Sequence, residues 1–301
     1  MKQVVFPSAH HVGTQFKEDP KPGQGEVRIK MGIYPEAPPF PCVVGYEVSG
    51  WIDAIGSDVP QSWKGKEVWY SDCVVTKPQN VSFIEAASIP VVYLTAWMLL
   101  VHMGGIQKNQ TILIQNAGGG VGLAAIDIAR HFGAITIGTA SGGKHAFLKE
   151  RGLDHAIDYR KQDFAEEVMK ITNNKGGKLG FFGASSMQAT VKSDFVVFAW
   201  IKIAWSMLIG APTWSPFGVN LAKMFEDLER PVEWLKIIMD GTKEGWVRPY
   251  VDSVFDMEHV ADAHNFIESR QSKGKVVIAV DPSDPVHDMT RFQENSFEPL
   301  K

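Results

Sequence analysis

One stretch limits the fold of this chain more than any other: Thr111-Ile112-Leu113-Ile114-Gln115-Asn116, running directly into Ala117-Gly118-Gly119-Gly120-Val121-Gly122. The first six residues read as a short buried strand. The next six turn the chain, and Leu123 to Phe132 then carries apolar residues at helical spacing until Gly133. A strand that passes straight into a helix needs a parallel neighbour, because the helix carries the chain back across the sheet. The following residues supply it. Ala134–Ala140 is an apolar strand, Gly143 to Arg151 a helix closed by Gly152, His155–Tyr159 a third strand, and Asp163 to about Thr172 a further helix. Strands and helices alternating in this way predict βαβ units and a parallel sheet.

The rest of the chain has a different texture. Residues 1 to about 92 hold short apolar runs (Val4–Phe6, Val27–Met31, Val43–Trp51, Glu67–Trp69, Cys73–Val75) separated by Pro and Gly clusters. That density of turn signals predicts a small β-barrel or sandwich. Residues 248–280 hold an extended segment, an amphipathic helix from Met257 to about Ser269 and a strand at Lys275–Val280. At 301 residues, one large or two medium domains are expected. The expected division is 1–94 with 246–280 against 95–245, and the polar tail 281–301 reads as disordered.

Lys+Arg 30 against Asp+Glu 34 leaves a net charge of −4, the wrong sign for a protein built to hold nucleic acid. Two cysteines, Cys42 and Cys73, exclude a disulfide scaffold and a four-cysteine zinc lobe, and point to a reducing compartment, most simply the cytosol. The residues after Met1 lack the apolar core of a signal peptide and read as a first strand. Phe195 to Ile209 is apolar, but it is interrupted by Lys202 and falls short of the ~20 residues a spanning helix needs. It reads as a buried or amphipathic helix. With Trp200, Trp205 and Trp214, the stretch 195–214 also reads as a peripheral membrane or partner-binding face.

The glycine turn has chemistry to offer. The spacing Ala117-x-Gly119-x-x-Gly122 is the dinucleotide fingerprint with alanine in the first glycine's place. Gly119 lets the backbone approach a pyrophosphate. Gly122 lets the helix pack close to the strand, and the N–H groups around Gly120 and Val121 open a positive helix terminus. The plainer reading is a tight turn with no ligand. An NAD site places an acid at the end of the second strand for the ribose 2′-hydroxyl. Here Ser141-Gly142-Gly143-Lys144 stands instead, with Lys144 able to pair a 2′-phosphate and Tyr159 able to add a hydroxyl, so NADP(H) is expected over NAD(H). Lys144 also reads simply as a solvated helix start.

Further stretches carry a family likeness. They are Glu85-Ala86-Ala87-Ser88-Ile89-Pro90, Leu94-Thr95-Ala96-Trp97, Gly138-Thr139-Ala140-Ser141, Ile157-Asp158-Tyr159, Val251–Phe255, Val260–Ala263 and Gly274–Val277. With the glycine turn, they resemble the zinc-independent medium-chain dehydrogenases/reductases, in particular the quinone oxidoreductase (zeta-crystallin-like) group and its VAT-1 branch. The resemblance implies an α/β fold, a Rossmann domain beside a GroES-like β-barrel, commonly as a homodimer. It also implies NADPH as hydride donor to a small-molecule quinone or enone. Thr95 and Asn220 would line the nicotinamide end, Lys144 and Tyr159 would hold the 2′-phosphate, and Lys275 is a further carry-over to the cofactor. Zinc-bearing cousins have Gly-His-Glu where this chain has Gly45-Tyr46-Glu47, which argues against a catalytic metal. Tyr46 and Thr95 are candidate donors to a developing oxyanion. Tyr46 also reads as a packed barrel residue, and Thr95 as a helix-start residue touching the cofactor.

The chain is shorter than the family pattern after Lys30, between Trp69 and Cys73, after Gly176 and before Gly218. The third gap leaves two alternatives open: a reduced sheet, or segments missing from the sequence. A second function is therefore carried: a catalytically weak, VAT-1-like nucleotide-binding protein acting at membranes or with protein partners. The tryptophan-rich 195–214 stretch favours it, whereas the intact glycine turn with Lys144 favours the enzyme.

Overall fold

The computed structural model describes residues 2–8, 11–16, 18, 21–22, 24, 27–29, 42–43, 47–70, 74–175, 178–181, 217–218 and 229–280. The chain divides into two units: Met1–Leu94, Gly118–Ala124 and Ala222–Lys301 in one, Thr95–Ala117 and Ala125–Leu221 in the other.

The second unit is built on the predicted parallel sheet. Its strands lie in the order His155–Asp158, Ile135–Ala140, Thr111–Ile114, Lys178–Phe181, Phe217–Gly218, all paired in parallel. In chain order this is third, second, first, fourth, fifth, so the winding reverses at Thr111–Ile114. Open α/β sheets bind ligands at such a reversal, beyond the carboxyl ends of the strands. The short connection after Lys175 does not remove the fourth strand, because Lys178–Phe181 takes that place beside Thr111–Ile114. The core is Leu113, Ile137, Ile157 and Val168, with Ile171 packed against it. Val168 and Ile171 come from the helix Phe164–Ile171, whose start is capped by the Asp163 carboxylate accepting from the Ala165 and Glu166 N–H groups. Such a cap contributes about 1 kcal/mol.

Ala117, in the fingerprint's first position, is fully buried. A β-carbon on Gly138 would lie 2.8 Å from the Ala117 methyl and 2.8 Å from the Leu153 side chain. The methyl that the turn carries is accommodated by a glycine in the neighbouring strand.

Among the described residues, the first unit holds three sheets. One pairs His11–Phe16, Lys2–Ser8 and Cys42–Val43; a second pairs Val27–Ile29, Val48–Ile55, Glu67–Tyr70 and Val74–Thr76; a third pairs Val251–Asp256 with Lys275–Ala279. Ile52, Val68 and Trp69 are fully buried in the four-stranded sheet. Ile84, Val251 and Val277 form a further cluster, with Ala87 and Val254 against it.

The β-rich reading of residues 1 to about 92 leaves out two helices at its end. Phe83–Ala86 and Pro90–Trp97 are helices, followed by a π-helical turn at Met98–Met103. Ser82 and Glu85 form a reciprocal capping box, and Pro90 stands at a first helical position, where its missing N–H costs nothing. Both signals were present in the sequence. The helices escaped it because they are buried on nearly all sides, so no apolar stripe of period 3.6 marks them. Phe83–Met103 is long and apolar enough to cross a membrane by length and composition, but 67% of its apolar 18-residue stretch is buried inside the protein, as in a core helix.

Candidate functional site

The strand Thr111–Ile114 leaves the sheet through a turn in which Asn116 adopts φ 51°, a left-handed conformation that asparagine tolerates. The Ala117 N–H donates to the Thr139 carbonyl at 3.0 Å, which ties the turn to the second strand. The helix Gly120–His131 then starts at once. Its first bond runs from the Leu123 N–H to the Gly119 carbonyl at 2.9 Å. The N–H groups of Gly120, Val121 and Gly122 therefore precede the helix ladder, and such a terminus favours anions.

Gly119 bridges in parallel to Gly274, and the Gly274 N–H donates to the Gly118 carbonyl at 2.8 Å. A β-carbon on Gly120 would lie 3.0 Å from Lys275 Cδ and 3.0 Å from Val92 Cγ1. The stem of Lys275 thus runs close to the helix start, and a larger residue at Gly120 would require it to shift by a few tenths of an ångström. A small crevice of about 10 Å³ lies beside it, bordered by Val92, Tyr93, Gly120, Tyr250, Gly274 and Lys275. It is smaller than the ~300–1,000 Å³ of a typical ligand pocket.

Lys275 is engaged. Its ammonium pairs with Glu47 Oε1, and Glu47 Oε2 accepts from the Val91 N–H at 2.9 Å. The Glu47 side chain is 8% exposed and that of Lys275 26%. In the sequence Glu47 stood out only as the acid of the altered Gly-His-Glu motif, and nothing there indicated its partner.

At the end of the second strand, Ala140 pairs with Asp158 of the third, so Ser141 and Tyr159 leave the sheet side by side. Gly142–Lys144 form one 3₁₀ turn. Tyr159 is 46% exposed, and the Arg160 guanidinium lies 5.9 Å from its ring centroid. The structure therefore brings Ser141, Lys144 and Tyr159 to one end of the sheet and adds Arg160, which its position next to Tyr159 could have flagged. It also adds an acid: Asp158 is buried, with Oδ2 only 2.7 Å from where a Gly142 β-carbon would stand. Asp158 accepts from the Arg160 N–H at 3.1 Å, so the carboxylate faces backbone.

Thr95 lies in the helix Pro90–Trp97 and is 5% exposed. Tyr46, Asn220, the stretch 195–214 and the tail 281–301 lie outside the described residues. Among the described residues, no group of three or more His, Cys, Asp or Glu side chains is placed to hold a metal ion. Away from these groups, burial lowers the His264 pKa from its ordinary value near 6.5, with Glu268 opposing.

Comparison with known proteins agrees with this architecture. Residues 23–111 match the alcohol dehydrogenase GroES-like domain family, and residues 151–278 match a family described as zinc-binding dehydrogenase. The chain is 31% identical to the synaptic vesicle membrane protein VAT-1 homolog of Danio rerio, over 87% of this chain and 65% of the relative's length. It is 30% identical to the synaptic vesicle membrane protein VAT-1 of Tetronarce californica, over 77% of this chain and 72% of that protein. Among solved structures, Escherichia coli quinone oxidoreductase complexed with NADPH superposes with a TM-score of 0.78 at 21% identity, covering 93% of this chain and 100% of the other. That likeness shows the fold.

Proposed function

The chain belongs to the quinone oxidoreductase/VAT-1 group of the medium-chain dehydrogenases/reductases, and from that premise we propose that it is an NADPH-dependent, zinc-independent reductase of quinones or α,β-unsaturated carbonyls. The observation that carries the reading is the helix start at Gly120, where a β-carbon would lie 3.0 Å from the Lys275 stem and the first backbone N–H groups precede the helix ladder. The residues present fit a dinucleotide. Gly119, Gly120, Val121 and Gly122 would hold its pyrophosphate, with Ala117 setting the turn and Lys275 nearby. Ser141, Lys144 and Tyr159, with Arg160, would hold a 2′-phosphate. Thr95 and Asn220 would line the nicotinamide end.

When bound, NADPH supplies the hydride. The chain's own part is to orient the acceptor and to donate a hydrogen bond where negative charge develops on its oxygen. Tyr46 or Thr95 would be that donor. We read 1–94 with 246–280 as the catalytic domain and 95–245 as the nucleotide domain, paired as a homodimer in the cytosol.

The test is a titration with NADPH and NADH, followed by hydride transfer to a panel of quinones and enones. Preferential NADPH binding with turnover of either class supports the reading. A folded protein that binds neither nucleotide overturns it. The names of the VAT-1 relatives favour a second reading, a nucleotide-binding protein acting at a membrane surface. Nucleotide binding without turnover, together with sedimentation on anionic liposomes, would move the assignment there.

A further inference from the structure

We propose that Glu47 sets the affinity for the dinucleotide by competing with its pyrophosphate for the Lys275 ammonium. The inference rests on the nucleotide reading above and assigns a regulator within it. Glu47 is held at both oxygens, one on the Val91 N–H at the start of the helix Pro90–Trp97 and the other on Lys275. Fixed on the helix start, the carboxylate cannot follow the lysine. The lysine backbone is fixed too: its N–H donates to the Tyr250 carbonyl at 3.1 Å, and its strand pairs along Val251–Asp256.

What remains movable is the four-carbon stem, which passes close to the opening of the helix Gly120–His131 before its charge is drawn away to Glu47. A lysine ammonium is a point charge on a flexible stem, so it can be redirected by rotamer change alone. An anion seated on the N–H groups of that helix opening would attract the same ammonium. Taking it leaves a nearly buried carboxylate with, among the described residues, the Val91 N–H and a helix terminus for compensation. Binding therefore carries the cost of separating the pair, and the affinity is set below what the helix opening and Lys275 together could provide. Glu47 acts as a positioning residue through Lys275. It would weaken NADPH and NADH alike, since both carry the pyrophosphate.

The experiment is calorimetric titration of the full chain with NADPH and with NADH, using wild type, Glu47→Gln, Lys275→Met and the double variant, each checked by its melting curve. Glu47→Gln should tighten both nucleotides about tenfold, the worth of one charge-assisted hydrogen bond. Lys275→Met should weaken both, and the double variant should match Lys275→Met, because the glutamate has no effect once the lysine is gone. If Glu47→Gln does not fold, Glu47→Asp keeps the charge at shorter reach and should tighten binding by about threefold. Unchanged or weaker binding in the Glu47 variants overturns the proposal, as does tightening that persists without Lys275. If wild type binds neither nucleotide, the functional reading falls as well; if wild type binds and Glu47→Gln does not shift it, only this inference falls.

Discussion

Two parts of the candidate nucleotide site are built on opposite plans. At the end of the second and third strands, Tyr159 and Arg160 stand exposed beside a glycine turn. At the helix opening, Lys275 is three-quarters buried and already holds an internal carboxylate. An exposed cation offers charge at little prior cost but is screened by salt. A paired, nearly buried one responds only when a ligand outcompetes its partner. Under the proposed reading, the first arrangement would serve discrimination between nucleotides, and the second would set how tightly any of them is held.

The comparison can be broken first at the helix opening. Gly120→Val puts branched carbons where a single β-carbon already meets Lys275 and Val92 at 3.0 Å. It should weaken NADPH and NADH together by about a hundredfold, measured by fluorescence titration on protein whose melting curve shows it folded. Lys144→Ala tests the other end. It should raise the NADPH dissociation constant about tenfold and leave NADH unmoved, and equal weakening of both would remove Lys144 from the phosphate site. Arg160→Ala should act in the same direction by about threefold, because its guanidinium lies 5.9 Å from the Tyr159 ring on an exposed residue, where a single charge contributes little. Raising ionic strength should narrow the NADPH-over-NADH preference in wild type more than in Lys144→Ala.

The smallest effect lies outside both regions. Burial makes the neutral ring of His264 the form that the fold holds, so its folded pKa lies below the unfolded value near 6.5. The unfolded chain then binds the extra proton. The stability in question is fully present above about pH 6.5 and is lost as pH falls toward the folded value. His264→Gln should flatten the loss of urea stability between neutral and mildly acidic pH, by less than about 1 kcal/mol. An unchanged slope would show that His264 does not titrate with unfolding.

What the sequence revealed followed the range of its signals. The parallel sheet was legible because each strand and helix carries its own local pattern, and because Gly133 and Gly152 close two of the helices with positive φ. The capped helices from Phe83 onward were hidden by burial on all sides. The Glu47–Lys275 pair joins residues 228 positions apart, which no local pattern could indicate. Asp158 was visible within Ile157-Asp158-Tyr159, but its approach to Gly142 depends on the pairing of two strands. Arg160 was the nearest miss, since it follows Tyr159 directly in the sequence and needs only the strand pairing to be placed at the same sheet end as Ser141.

The burial of Ala117 beneath Gly138 has a consequence for transplanting this turn. The loop and the strand share one volume, and the glycine missing from the first position of the loop is found in the sheet instead. The two positions behave as a single lock. Gly138→Ala alone should jam it, Ala117→Gly alone should loosen it, and the two changes together should recover only part of the fit, because the new β-carbon would still lie 2.8 Å from the Leu153 side chain. A loop with this sequence moved onto a strand that lacks such a glycine would not close.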